Sequence, residues 1–101
     1  MTRLLSDDEV SAQLADLPGW TREGDSITAT TQAVDFRTGI RIVDEVASAA
    51  EEMNHHPDID IRWRTTTWTL STHSEGGLTQ LDIEFAHRIS SLVAQHGGSV
   101  S

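Results

Sequence analysis

Most of the chemistry available to this 101-residue chain lies in its five histidines, and three of those gather at two punctuated places. His55 and His56 are adjacent in Glu51-Glu52-Met53-Asn54-His55-His56-Pro57, and His73 recurs in Ser71-Thr72-His73-Ser74-Glu75-Gly76-Gly77-Leu78-Thr79. An imidazole gives or takes a proton near neutral pH without large environmental tuning. Three of them converging on one pocket would suit an acid–base reaction. Both places read as ends of elements, where a rigid scaffold presents functional groups on loops. Other uses compete for the same residues. His55 and His56 could simply favour a helix C-terminus, where cationic side chains are stabilising. Three histidines with Glu51 or Asp82 could bind zinc, although a tandem pair far from the third is not a specific ligand spacing. They could also hold a ligand without catalysis. His87 and His96 read as ordinary surface residues of the last helix.

The remaining candidates are thinner. Gly76-Gly77-Leu78-Thr79 leads into a helix start, whose amide N–H groups could face a ligand. It lacks the lysine and the spacing of a P-loop. The serines and threonines of 65–72 read as strand formers. Trp63 and Trp68 read as core or interface residues. Trp20, beside Pro18-Gly19, suits either the core or a flat wall for an aromatic ligand.

Three helices and two strand pairs must position these groups. Ser6-Asp7-Asp8-Glu9 has the spacing of a capping box and opens a helix that Pro18-Gly19 ends. Trp20-Thr21-Arg22 and 27–34 flank the turn Glu23-Gly24-Asp25-Ser26 and suggest a hairpin. Asp35 caps a long helix over 36–54 with two apolar stripes. Phe36, Ile40, Val43, Ala47 and Ala50 form the first; Ile42, Val46, Ala49 and Met53 form the second. The stripes lie roughly 110° apart at about 100° per residue, wider than a surface helix of a small domain needs. One stripe is expected on the sheet and the other on a neighbouring helix or a second subunit; one wide core face fits equally well. Ile59, Ile61 and Trp63 alternate with polar residues, and Trp68 and Leu70 alternate in a shifted phase. A tight turn near Arg64-Thr65 accounts for the shift, and one long bent strand is the competing reading. An antiparallel pair here brings the His56 end and the His73 end together. His73 falls out of phase with Trp68 and Leu70 and so should not share their buried face. Thr79 caps the last helix, with Asp82 in its first turn, and Gly97-Gly98-Ser99 ends it. The order α-β-β-α-β-β-α gives an α+β fold: a four-stranded antiparallel sheet with three helices packed on one face. Residues 1–101 form a single domain, with 96–101 expected as a disordered tail.

Composition narrows the partners. The net charge is −9 and all seven basic residues are arginine, which argues against nucleic acid and anionic membranes. No cysteine is present, so neither a disulfide nor a thiolate zinc site can form. No stretch approaches the roughly 20 apolar residues of a membrane span, and the N-terminus has no apolar run of signal-peptide length. A cytoplasmic location is expected. Hydrophobic residues make up 37%, so the core is small, and burial in an oligomer would help stabilise it.

Glu51, Asn54-His55-His56-Pro57, Trp63, Leu70-Ser71-Thr72-His73, Gly77-Leu78-Thr79 and Asp82 together resemble the pterin-4a-carbinolamine dehydratase family in order and spacing. Leu17-Pro18-Gly19-Trp20 and the long helix extend the resemblance over nearly the whole chain. It implies a homodimer that extends the sheet, or a homotetramer through the long helix. It implies removal of water from a 4a-hydroxytetrahydropterin to give quinonoid dihydropterin, with no metal and no bound cofactor. By the resemblance, His55, His56 and His73 are the catalytic residues, and Glu51 and Asp82 orient imidazoles. Trp20 flanks the pterin, and groups around Asn54, Ser71, Thr72 and Ser74 hydrogen-bond it. Asn54 stands where some members carry an acidic residue. The family also includes non-enzymatic interaction and assembly proteins, which is the alternative function.

Overall fold

The first helix starts where the capping box requires. In the computed structural model, which describes residues 3–101, Glu9 N–H donates to Ser6 Oγ at 3.2 Å and Ser6 N–H donates to Glu9 Oε1 at 2.8 Å. These two bonds satisfy donors that a helix start leaves orphaned and open α1, Asp7–Leu14. Strands β1 (Thr21–Glu23) and β2 (Ser26–Gln32) form the first hairpin, turning at Gly24 with φ +60°. Asp35 Oδ1 accepts from Thr38 N–H at 2.8 Å and opens α2, Phe36–Met53. Strands β3 (Asp58–Arg62) and β4 (Thr65–Leu70) pair antiparallel, and α3 spans Gln80–Gln95.

The sheet order is β1-β2-β4-β3. Strand β2 pairs with β4 from Ile27↔Leu70 to Gln32↔Thr65. Alternation then sorts the side chains by face. Ile27, Ala29, Trp68 and Leu70 face the three helices and join Ile42, Val46, Ala49, Phe85, Ile89 and Val93 in one buried core. Trp68 is fully buried, yet its indole N–H donates to Thr31 Oγ1 at 2.8 Å, so no polar atom is stranded there. The opposite face is a threonine array in which Thr28 lies across from Thr69 and Thr30 across from Thr67.

The phase shift in the second strand pair is a two-residue turn, Trp63-Arg64, closed by the Arg62↔Thr65 pair. Trp63 takes a left-handed φ of +54° there and is 71% exposed, so it is not a core residue. The first α2 stripe divides along its length. Ile42, Val46 and Ala49 of the second stripe are buried together with Ala50 of the first, and Val43 packs against them, whereas Phe36 and Ile40 are 49% and 42% exposed. The core face therefore does not extend to the start of the helix.

Two expectations need correction: the sheet has five strands, not four, and the tail is ordered. Gly97 (φ +75°) turns the chain, and Gly98 N–H donates to Val93 O at 2.9 Å. A Cβ on Gly98 would meet Gln32 O at 2.6 Å, so only glycine permits this approach. Ser99–Val100 then forms β5 against β2, in the register Thr31↔Val100 and Gln32↔Ser99. Strand β1 covers only the first part of that β2 edge, and β5 takes up backbone groups that would otherwise face water. Among the described residues no helix is long and apolar enough to cross a membrane.

Candidate active site

The end of α2 decides where the paired histidines go. Asn54 ends the helix in the left-handed conformation, φ 50° and ψ 45°. Its side chain tolerates that region better than most residues. His55 N–H then donates back to Ala50 O at 3.0 Å, the long bond of a Schellman-type end. Pro57 keeps the following chain extended. Adjacent residues on such a chain point to opposite sides, and the two histidines do so. His55 is buried at 8% exposure, while the His56 side chain is 57% exposed.

Each imidazole meets a carboxylate. His55 Nε2 lies 2.6 Å from Asp82 Oδ1, with the His55 ring tilted against Phe85 at a centroid distance of 6.3 Å. His56 Nε2 lies 2.5 Å from Glu51 Oε2, one helical turn back on α2, in an exposed pair. Both carboxylates to which the resemblance gives an orienting role contact a histidine. Such a pair fixes the tautomer and direction of the ring.

Asp82 has no exposure at all. It lies in the first turn of α3 and closes that helix's capping box with Thr79, whose N–H donates to Asp82 Oδ2 at 2.9 Å. Thr72 Oγ1–H donates to the same oxygen at 2.8 Å, and Thr72 Oγ1 also lies 2.8 Å from Thr79 Oγ1. A buried carboxylate with this many donors is fully partnered. Thr79, which the sequence marks only as a helix cap, therefore belongs to the same cluster. The Thr-x-x-Asp spacing was the visible signal; its link to His55 needs the fold.

The other sequence-derived residues are placed unevenly. His73 is exposed, as its phase predicts, and begins a short 3₁₀ turn, His73–Glu75, directly after Thr72. Ser74 is exposed beside it. The Ser71 hydroxyl donates to Asp25 O at 2.7 Å and ties this segment to the β1–β2 turn. Asn54 is exposed, and its residue type is accounted for by the helix end. Trp20 is 4% exposed in the core, with its indole N–H on Ser90 Oγ at 2.8 Å, so it offers no free face to an aromatic ligand. His96 is more than a surface residue, because its Nε2 contacts Glu45 on α2. Among the described residues no three histidines, aspartates or glutamates are grouped to hold a metal ion. A hollow of about 450 Å³ lies away from the histidines, on the outer side of α2, lined by Phe36, Arg37, Ile40, Arg41 and Asp44.

Comparison with known proteins gives one answer. The family model described as pterin 4 alpha carbinolamine dehydratase matches residues 3–92. A protein of Nocardia farcinica, provisionally named pterin-4-alpha-carbinolamine dehydratase, is 59% identical over 91 residues, covering 90% of this chain and 96% of that one. A Mycobacterium tuberculosis protein of the same provisional name is 49% identical over 89 residues, covering 88% and 95%. The crystal structure of a transcriptional coactivator/pterin dehydratase from Brucella melitensis superimposes with a TM-score of 0.86 at 32% identity, covering 89% of this chain and 98% of that one. A pterin dehydratase-like protein identified as a RuBisCO assembly factor in the alpha-carboxysome shares the fold, with a TM-score of 0.60 at 19% identity over 72% of this chain and 84% of that one.

Proposed function

This chain belongs to the pterin 4 alpha carbinolamine dehydratase family, and on that premise we propose that it is a hydro-lyase acting on a 4a-hydroxytetrahydropterin. The product is the quinonoid dihydropterin, and the reaction would serve recycling of a tetrahydropterin cofactor in the cytoplasm. The 4a-hydroxyl is a poor leaving group until it is protonated. A general acid gives it a proton, the C4a–O bond breaks and water departs. The lone pair of the adjacent ring nitrogen stabilises the cation, and a general base then removes a ring N–H proton. Two imidazoles suffice, and neither step needs a metal or a bound cofactor.

The observation that carries this reading is the pair of carboxylate-held imidazoles at one helix end, His55 on Asp82 and His56 on Glu51. His73 and Ser74, exposed on the neighbouring turn, would complete the pocket and hydrogen-bond the pterin, with backbone groups of Asn54 and Ser71. Trp20 is left out of the pocket because the core already uses both its faces and its N–H. The apolar outer stripe of α2 supports association into a homodimer or homotetramer.

The test is stopped-flow absorbance of 4a-hydroxytetrahydropterin dehydration near pH 7, on wild type and His56→Ala. Acceleration by the wild type, reduced by roughly 10²–10⁴ in the variant, is expected for a lost general acid or base. A second reading is an interaction or assembly role on the same fold, favoured by the uncovered Phe36 and Ile40 on α2. Folded, pure wild type that leaves the dehydration rate unchanged would overturn the enzyme in favour of that reading.

A further inference from the structure

Hydrogen-bond direction around Asp82 can be settled by counting protons. At neutral pH a carboxylate accepts and never donates. Each threonine hydroxyl has one proton to give. Thr72 Oγ1 gives its proton to Asp82 Oδ2, so the 2.8 Å contact between Thr72 and Thr79 must run from Thr79 Oγ1–H to Thr72 Oγ1. Thr79 Oγ1 in turn accepts from Leu81 N–H at 3.3 Å. The chain is thus directed from Leu81 through Thr79 and Thr72 to Asp82, and every proton in it points at the carboxylate. Asp82 Oδ1 then needs a donor, and the group 2.6 Å away is His55 Nε2.

The geometry points to Thr72 and Thr79 as positioning residues that hold His55 as the Nε2–H tautomer, leaving Nδ1 as the nitrogen offered to the pterin. This rests on the catalytic reading above. His55 Nε2 is the nitrogen anchored on Asp82, in a residue that is 8% exposed. Thr72, which the family resemblance suggests as a substrate contact, spends its hydroxyl proton inside the protein. The α3 capping box therefore has a second task, because the residues that start the helix also set the proton on the catalytic imidazole.

The test reads the tautomer directly. Long-range ¹H–¹⁵N correlation spectra of ¹⁵N-labelled wild type, Thr72→Val and Thr72→Ser are recorded at the high-pH plateau of the His55 titration. Wild type and Thr72→Ser should show the Nε2–H form, and Thr72→Val, in which Asp82 Oδ2 loses the donor that holds the carboxylate against His55, should gain Nδ1–H form. kcat for dehydration should fall roughly 10- to 100-fold in Thr72→Val, the range for a lost hydrogen bond to a charged group, and return in Thr72→Ser. An Nδ1–H tautomer in the wild type would overturn the proposal without any variant. So would a Thr72→Val protein that melts earlier but keeps the wild-type tautomer and kcat. A wild type that fails to dehydrate the pterin would sink the catalytic reading beneath it, and the spectra would still decide the hydrogen-bond chain.

Discussion

The two adjacent histidines differ in what their loss would cost. His55 is packed against Phe85 and is the partner of an aspartate with no exposure. His55→Ala removes that partner and leaves Asp82 with a charge-assisted bond unmade, a penalty of about 1–3 kcal/mol. His56 pairs with Glu51 in water, and exposed pairs contribute little to stability. Both alanine variants should lose dehydration, but only His55→Ala should lower the melting temperature by several degrees. Thermal melts beside the kinetics check this, and equal melting of the two variants would contradict the burial argument. The sequence shows that these residues matter but not this division. The Asn54-His55-His56-Pro57 run marks a helix end, yet which imidazole turns inward depends on the left-handed Asn54 and the return bond to Ala50. Trp20 was legible as either a core residue or a wall for an aromatic ligand; that it lies in the core, with Ser90 70 residues away as partner, needed the fold.

At the scale of elements, local rules predict starts better than ends and edges. The capping residues Ser6, Asp35 and Thr79 each open the helix expected of them. The turn at Trp63-Arg64 carries no glycine or asparagine, so only the shift in alternation announced it. Strand β5 escaped because two residues have no period to read, and because the open length of β2 edge that recruits them exists only in the folded sheet. The α1 capping box also makes a pH prediction. Hydrogen bonds from Arg3, then the backbone bond from Ser6, hold the Glu9 carboxyl down at about 2 from an ordinary 4.5. A folded-state value below the unfolded one stabilises the helix start above about 4.5, and that contribution is lost as pH falls through about 2. Both side chains are solvent-accessible, so added salt should weaken the effect. Amide exchange in the first turn of α1 should rise across that window in wild type and lose this pH dependence in Glu9→Gln. Unchanged pH dependence in Glu9→Gln would assign the effect to other acids.

The whole molecule leaves an apolar stripe of α2 uncovered while keeping a complete core beneath the sheet. Phe36 and Ile40 are exposed beside Arg37 and Arg41 on a chain of net charge −9. If this stripe joins copies of the chain, Ile40→Glu should lower the solution mass measured by light scattering while leaving the monomer's secondary structure intact, since Ile40 is exposed and the buried core is built from other residues. Retention of the wild-type mass would place any association elsewhere. The angle between the stripes left a separate apolar surface and one wide core face equally open; that Phe36 and Ile40 of the first stripe stay outside the core was decided only once Ile42, Val46, Ala49 and Ala50 were seen to fill it. The shared use of Thr79 and Asp82 has a consequence for descent as well. A lineage that abandoned the reaction would still need both residues to begin α3, whereas nothing in the fold would hold His56 in place. Over time the imidazoles would drift while the cap stayed, so in such a lineage the exposed histidine would record the loss of chemistry first and the buried aspartate last.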